Sequence, residues 1–338
     1  MNKICFGVIL LFTLLTSCTA EVDSDILLKN EESNKTYYAY VSENSQEKSE
    51  YNVLVIGNSL SRDAFSYVPA IMNDVCNGKT FEVDILYKSG KALSDHWNSI
   101  SNSAADYTLD SYDTDNSKWQ LFTNVVALDV ISSKKWDLVV LQEGSRTARF
   151  YDLTKNSVHS ICNYIRVIQP NVYIAFMINP PHADGYSDLG EFTSNEIWMQ
   201  YVQTARQLLE ENEIDYIIPC GTGIQNARQT YLDSLGVFGS LSYDGKHLQE
   251  GIPCLIDAFT ASQSLFNFFN INSSINNCSL KIIQQWVNNS KIPGQHGKVI
   301  EGTDEDYSIS KKCAINAIES PFSLSDNQST TSIRIPKF

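Results

Sequence analysis

The sequence predicts an α/β protein built around a parallel sheet. Apolar runs of five to eight residues recur along the chain, stretches with helical periodicity separate them, and hydrophobic residues make up 43% of the 338 positions. Apolar runs that alternate with amphipathic stretches indicate strand–helix–strand units, whose strands lie parallel. The carboxyl ends of such strands form the edge where binding sites usually lie.

Each predicted strand is a short apolar run, and each predicted helix carries apolar residues at helical spacing. The strands are expected at residues 51–57, 81–87, 136–141, 171–178 and 214–219. The helices are expected at residues 60–75, 152–168, 193–212, 222–235, 250–270 and 280–288. Residues 98–118, rich in Asp, Ser and Asn, predict an inserted polar loop, whereas residues 119–131 suit either a helix or a strand. Residues 51–271 are therefore expected to form the folded domain, and residues 272–338 a peripheral extension.

The N-terminus has the form of an export signal. Lys3 precedes an apolar stretch at residues 4–15, which predicts a signal peptide over residues 1–17. The segment Leu15-Thr16-Ser17-Cys18 resembles a bacterial lipobox, which implies cleavage before Cys18 and lipidation of that residue; an ordinary signal peptide with a chance cysteine is the alternative. Residues 18–50 are polar and predict a flexible tether. We expect an exported protein, lipid-anchored in the bacterial outer membrane or at the cell surface.

Composition excludes several classes of partner and cofactor site. The 25 Lys and Arg against 39 Asp and Glu give a net charge of −14, which opposes binding to nucleic acid. The body has no apolar run of about 20 residues, so the lipid anchor is the only membrane contact expected. Six cysteines lie beyond the signal, without a CxxC pair, and no metal or organic cofactor is expected.

The cysteines of the body fall into two groups. Cys162, Cys220 and Cys254 lie in apolar stretches and are expected to be buried thiols. Cys278 and Cys313 flank the polar C-terminal region and are the best candidates for a disulfide bond.

Two distant segments carry groups suited to nucleophilic catalysis. The first predicted strand ends in Gly57-Asn58-Ser59, which places a serine hydroxyl where a helix begins. There the free N–H groups of a helix N-terminus can bind an oxyanion. The alternative is that Asn58 or Ser59 only caps the helix. Asp244 precedes His247 by three residues, so that its carboxylate can fix the imidazole tautomer and leave the other nitrogen as a general base.

Together these segments resemble the SGNH (GDSL-like) hydrolase superfamily, in a divergent branch found in bacterial lipoproteins. Residues 54–59 match its first block, with GNS in place of GDS, and Asp244 and His247 match its last block. The resemblance spans roughly residues 51–270. It implies a flavodoxin-like three-layer α/β/α sandwich and a catalytic triad of Ser59, His247 and Asp244.

The resemblance also implies an oxyanion hole and residues that line the pocket. Gly90 matches the glycine that follows the second strand, and Gln142 occupies the slot where the superfamily usually has an asparagine. Asn179, after the fourth predicted strand, is the rival amide donor. Asn58, His96, Asn179 and His182 are candidate substrate-binding residues.

The expected function is a serine ester hydrolase that acts on small-molecule or glycan esters with short acyl groups, such as acetylated glycans. The GNS and LQEGS departures keep an alternative open: a weak or inactive SGNH-fold lipoprotein that binds glycan without turnover. Phosphate or nucleotide binding at the first helix is a third hypothesis, but no glycine-rich phosphate motif supports it.

Overall fold

A seven-stranded sheet forms the centre of the computed structural model, which describes residues 48–76, 78–187, 190–278 and 298–325. The strands are β1 Glu50–Gly57, β2 Thr80–Tyr87, β3 Ala105–Asp113, β4 Lys118–Val126, β5 Leu138–Leu141, β6 Tyr173–Met177 and β7 Tyr216–Ile218. Their order in the sheet is β4-β3-β2-β1-β5-β6-β7. Strands β2, β1, β5, β6 and β7 pair in parallel, as predicted, whereas β3 and β4 pair antiparallel.

Helices cover both faces of this sheet and complete a three-layer α/β/α sandwich, which confirms the predicted fold class. They are α1 Ser59–Phe65, α2 Val68–Val75, α3 Leu93–Ser101, α4 Ala127–Ser133, α5 Tyr151–Ile168, α6 Ser194–Glu210, α7 Cys220–Arg228, α8 Ile252–Phe268 and α9 Asp304–Glu319. Strand β1 is central because its apolar side chains are buried by helices on both sides. Across the described part of the chain, no helix is long and apolar enough to cross a membrane.

The predicted polar loop at residues 98–118 is wrong: it holds the end of α3, strand β3 and the turn into β4. Polar side chains of this hairpin are satisfied by partners distant in sequence, which hides the strand pattern. Asp110 is buried on β3 and accepts two hydrogen bonds of 2.7 Å from the Arg62 guanidinium on α1. Two charged donors balance the loss of hydration that would otherwise exclude an aspartate from a sheet.

The helix predicted at residues 60–75 is two helices, with the break at Ser66 and Tyr67. Pro69 lies in the first turn of α2, where the missing backbone N–H costs nothing because that group has no partner in a helix. One continuous helix would instead drive the proline ring against the carbonyl group one turn earlier.

The segment after residue 272, expected as a peripheral cover, includes the unpredicted helix α9, which packs on α7 and α8. Cys313, Ala314 and Ala317 are buried on α9 and are small enough for close approach of the helices. Asp, Ser and Lys dominate the rest of α9, so the apolar stripe is too narrow to stand out in the sequence. The helix predicted at residues 280–288, the signal peptide and the tether up to residue 47 lie outside the described residues, and Glu50, the last residue of the predicted tether, begins β1.

The cysteines of the described residues are all free and buried. This finding agrees with the expectation for Cys162, Cys220 and Cys254, and contradicts the predicted bridge between Cys278 and Cys313. Burial raises the pKa of the Cys278 and Cys313 thiols to about 12 in each case. Both therefore behave as small apolar side chains in the packing between helices.

Candidate active site

Ser59 opens helix α1 directly after β1, at the carboxyl edge of the sheet. Asn58 is the N-cap residue, and its side-chain oxygen accepts the N–H of Leu60 at 3.1 Å. The amide group of Asn58 also donates to the carbonyl oxygen of Lys91 at 2.9 Å, which ties the loop after β2 to this turn. The capping role expected as an alternative thus belongs to Asn58, and the Ser59 hydroxyl remains available for another contact.

His247 is presented by a tight loop that closes on itself just before α8. The Ser242 hydroxyl and the Tyr243 N–H both donate to the His247 carbonyl oxygen, at 2.8 and 2.9 Å. The loop is joined to the sheet edge by the N–H of Ala183, which donates to the Gly245 carbonyl oxygen at 2.8 Å. The imidazole is therefore held over the carboxyl ends of the parallel strands.

Ser59, His247 and Asp244 form a continuous chain of hydrogen bonds. The distance from Ser59 Oγ to His247 Nε2 is 2.8 Å, and the distance from His247 Nδ1 to Asp244 Oδ2 is also 2.8 Å. Because the carboxylate accepts the proton of Nδ1, the tautomer that fits leaves Nε2 as an acceptor for the serine hydroxyl. The contact expected between these two segments of sequence is present.

The Asp244 carboxylate is held in its ionised form. Partial burial acts to raise its pKa, but hydrogen bonds from the His247 side chain and from the backbone N–H groups of His247 and Lys246 outweigh burial. Together they lower the pKa of Asp244 to about 2. A carboxylate that keeps its charge down to this pH can orient the imidazole throughout the physiological range.

Gln142 is buried beneath the Ser59 turn and makes hydrogen bonds through both ends of its amide group. Its oxygen accepts the Asn58 N–H at 2.8 Å and the Ser61 hydroxyl at 3.0 Å. Its nitrogen donates to Asn179 Oδ1 at 3.0 Å and to the Glu143 carbonyl oxygen. The orientation of the amide is fixed, since a flipped group would place its nitrogen against the Asn58 N–H.

This geometry corrects the expectation that Gln142 donates to the oxyanion. An amide nitrogen has two protons, and both are directed to protein acceptors in the buried network. Gln142 instead fixes the turn that carries Ser59 by accepting the backbone N–H of Asn58. Asn179, the rival donor, also lies in this network and donates to the Glu143 carbonyl oxygen at 2.8 Å.

Two backbone N–H groups remain suited to oxyanion binding. Ser59 begins helix α1, so its N–H has no acceptor within the helix, and Gly90 lies in the adjacent loop that follows β2. Among the described residues, no hydrogen bond occupies either N–H. Gly90 has a φ of +64° and is exposed, a backbone conformation in which glycine is favoured.

His96 and His182, which were expected to bind substrate, are both buried. His96 is buried, and its Nδ1 lies 3.1 Å from the Tyr107 hydroxyl under α3. Burial, aided by the charge of Lys88, lowers the pKa of His96 to about 3, so the ring is neutral and serves packing rather than substrate binding. His182 is buried after β6 with its ring edge-on to Tyr186, and the structure shows no open face for substrate.

Glu143 is a positioning residue that the sequence did not reveal. Its carboxylate is buried and accepts from the backbone N–H groups of Leu93 and Gly144, at 2.8 and 2.6 Å, and from the Thr147 hydroxyl at 2.8 Å. Burial raises its pKa, and these three donors act in the opposite direction. Glu143 thereby joins the loop after β5 to the start of α3, and so fixes the loop that carries Gly90.

The chain belongs to the family described as a domain of unknown function, DUF4886, whose model matches residues 52–284. It is similar to the crystal structure of a DUF4886 family protein from Bacteroides uniformis, with a TM-score of 0.67 and 21% sequence identity. That alignment covers 83% of this chain and 100% of the other. No curated protein matches the chain.

Two further solved structures are more distant. A candidate SGNH hydrolase from Slackia heliotrinireducens has a TM-score of 0.44 and 16% identity over 64% of this chain and 99% of that one. A candidate GDSL-like lipase from Parabacteroides merdae has a TM-score of 0.41 and 13% identity over 64% and 97%. The comparisons show the DUF4886 family and the fold, and the resemblance to the SGNH (GDSL-like) superfamily stays a prediction.

Proposed function

We propose that this protein is a serine ester hydrolase in which Ser59 is the nucleophile. The observation that carries the proposal is the hydrogen-bonded chain from Ser59 Oγ through His247 to Asp244, with both distances at 2.8 Å. An alcohol is a poor nucleophile at neutral pH unless a neighbouring base accepts its proton. Ser59 and the Asp244–His247 pair come from two distant segments, so their alignment supports catalysis better than a chance contact.

The reaction follows from the positions of these groups. Ser59 Oγ attacks the ester carbonyl carbon while His247 Nε2 takes the hydroxyl proton, and Asp244 stabilises the imidazolium that forms. His247 then returns the proton to the leaving alcohol, and the acyl group remains on Ser59. A water molecule, deprotonated by His247, attacks the acyl-enzyme and releases the carboxylic acid.

The oxyanion is bound by backbone groups in this proposal. The N–H groups of Ser59 and Gly90 are unoccupied and belong to two loops that Asn58 joins. Gln142 and Asn179 support these loops from below without contacting the substrate. Removal of one oxyanion donor typically costs about 10²–10³ in kcat, so a site with two donors is expected to be slower than one with three.

The proposed substrates are esters with short acyl groups, such as acetylated glycans. Phe238 and Tyr243 lie exposed on the loop that carries His247. Exposed aromatic rings on this loop suit the apolar face of a sugar ring, and two rings offer little surface to a long acyl chain. A series of p-nitrophenyl esters tests this part of the proposal, since highest turnover on long chains would reject it.

The test of the nucleophile uses Ser59→Ala against the parent protein with p-nitrophenyl acetate. The variant is expected to fold normally, because the Ser59 side chain is not part of the buried network, and to lose hydrolysis above the background rate. Ser61→Ala is the matched control: it removes a nearby hydroxyl that donates a hydrogen bond to Gln142 Oε1. Hydrolysis that survives unchanged in Ser59→Ala would reject the enzyme.

One observation favours a second candidate function, a glycan-binding protein with little or no turnover. The superfamily's usual side-chain donor is absent from the oxyanion position, because both amide protons of Gln142 are already bonded. If the parent protein hydrolyses no acetyl ester but binds acetylated glycan in calorimetry, the binding function replaces the enzyme. If the parent protein hydrolyses the ester and Ser59→Ala abolishes that hydrolysis, the binding function without turnover is excluded.

We further propose that the protein is exported and anchored through a lipid on Cys18. The support is the sequence pattern of residues 1–18 alone, since this segment lies outside the described residues. Metabolic labelling with a radioactive fatty acid is expected to mark the parent protein and not Cys18→Ser. Equal labelling of both proteins, or of neither, would reject the anchor.

A further inference from the structure

We propose that Asp63 is a positioning residue that fixes His247 against the nucleophile by holding the backbone N–H of Leu248. The inference rests on the proposed hydrolase function and adds a residue to its machinery. Asp63 lies on α1, one helical turn after Ser59, and its Oδ2 accepts the Leu248 N–H at 3.1 Å. Leu248 follows His247 directly, so this bond joins the two sides of the catalytic pair.

The contact is isolated from water, which makes its loss costly. Asp63 and Leu248 are both buried, at 1% and 2% exposure. A buried backbone N–H without an acceptor is unfavourable. The position of the Asp63 carboxyl oxygen therefore sets the position of the loop that carries Leu248. Because α1 is short and rigid, the same helix sets the positions of Ser59 and of the acceptor that holds the histidine loop.

A second buried contact lies beside the first and strengthens the attachment. The Tyr67 hydroxyl, at the start of α2, donates to the Glu250 carboxylate at 2.5 Å. Residues 248–250 are thus attached at two points to the chain segment that contains Ser59. The same loop is also held at the Gly245 carbonyl oxygen, which accepts the Ala183 N–H at 2.8 Å.

The electrostatic surroundings of Asp63 identify the conservative substitution. Burial raises the pKa of this carboxyl group; the hydrogen bond from Leu248 lowers it, the charges of Glu250 and Asp244 raise it, and Arg62 lowers it. The result is a pKa well above the usual value, and an amide group matches the carboxyl group in shape. Asp63→Asn therefore keeps an acceptor oxygen at this position, whereas Asp63→Ala and Asp63→Leu remove it.

The experiment compares these three variants in the full chain by kinetics and by amide hydrogen exchange. In Asp63→Ala we expect kcat for p-nitrophenyl acetate to fall about 10- to 100-fold, because small misplacement of a catalytic base has this effect, while KM stays within about threefold. Asp63→Asn is expected to retain kcat within about threefold. The Leu248 amide is expected to exchange faster in Asp63→Ala and at the native rate in Asp63→Asn.

Two controls separate positioning from general loss of stability. Asp63→Leu fills the volume of the side chain and replaces Asp63→Ala if that variant does not fold. Asp257→Asn changes another fully buried carboxyl group on α8, whose oxygens have no hydrogen-bond partner among the described residues, and is expected to leave kcat unchanged.

The results distinguish the failure of each proposal. A parent protein without esterase activity rejects the hydrolase. An active parent whose folded Asp63→Ala or Asp63→Leu variant keeps the native kcat and native exchange at Leu248 overturns the positioning role alone. An Asp63→Asn variant as slow as Asp63→Ala also overturns it, because the acceptor oxygen would then be irrelevant.

Discussion

Gly57→Ala is expected to damage the fold and the nucleophile turn together. A Cβ atom at Gly57 would clash with Ser61 Oγ and would lie 2.6 Å from Gln142 Oε1 and 2.9 Å from Gln142 Cβ. Ser61 and Gln142 are both buried, and Gln142 cannot withdraw without leaving the Asn58 N–H unpaired. The glycine is therefore required for the close approach of Gln142, which in turn holds the backbone beside Ser59.

The expected loss of stability combines two effects. Overpacking of a buried site costs about 1–3 kcal/mol. A buried N–H that loses its acceptor costs about 1–3 kcal/mol more. Urea denaturation is thus expected to show a free energy of unfolding about 2–6 kcal/mol lower than that of the parent. Hydrolysis by the folded fraction is expected to fall as well, because Ser59 lies two residues away.

The control for this prediction is Gly185→Ala. Gly185 has a φ of +79° but open space where the Cβ would lie, so the substitution tests backbone strain without a clash. Its expected cost is about 1–2 kcal/mol, without loss of kcat. If Gly57→Ala is as stable and active as the parent, the role assigned to Gln142 is refuted.

The remaining predictions concern charges and thiols. Burial and, after it, the charge of Asp63 raise the pKa of Asp257 well above 3.8, whereas the charge of Arg228 lowers it. The protonated Asp257 carboxyl group therefore contributes stability that is fully present below pH 3.8 and is lost as the pH rises toward the pKa of the folded state. The parent is therefore expected to lose stability relative to Asp257→Asn by about 1.4 kcal/mol per pH unit over that window, and parallel stability–pH curves would contradict this. Asp244→Asn is expected to lower kcat about 100-fold with little change in KM, and an unchanged kcat would remove Asp244 from the triad. Because burial raises the pKa of Cys162, Cys278 and Cys313 to about 12, their thiols should react with a disulfide reagent only after denaturation; rapid labelling of the native protein would contradict their burial.

The sequence predicted the parallel part of the fold because that part follows from local pattern. Strands β5 and β6 are uninterrupted apolar runs, and β1 is apolar from Val53 to Ile56. Helices α5 and α6 carry helical periodicity, and α8 is apolar over most of its length. The β3–β4 hairpin was missed because Asp110 is buried through an ion pair with Arg62, which is 48 residues away. Helix α9 was missed because its buried face mixes apolar residues with polar ones such as Asp306 and Ser310, which weakens the helical pattern.

In the candidate site, too, features that follow from a local motif were predicted and those that depend on long-range contacts were not. Ser59, Asp244 and His247 are found from short motifs, because the requirement for a nucleophile, a base and an orienting acid is local in each segment. Gln142 was placed at the right strand end but in the wrong role, since the direction of its amide depends on Asn58, Ser61 and Asn179. The sequence shows an aspartate four residues after Ser59, but it does not show that Asp63 accepts the N–H of Leu248, because that contact exists only in the folded chain.

The most direct measurement of the central claim is the site of covalent labelling by a fluorophosphonate probe. We predict one adduct per chain, located by peptide mass spectrometry at Ser59. The labelling rate is expected to be lower by a factor of about 10²–10⁴ in His247→Ala, because the imidazole is the base that activates the hydroxyl. An adduct at another serine, no adduct in the parent, or equal labelling rates in the two proteins would contradict it.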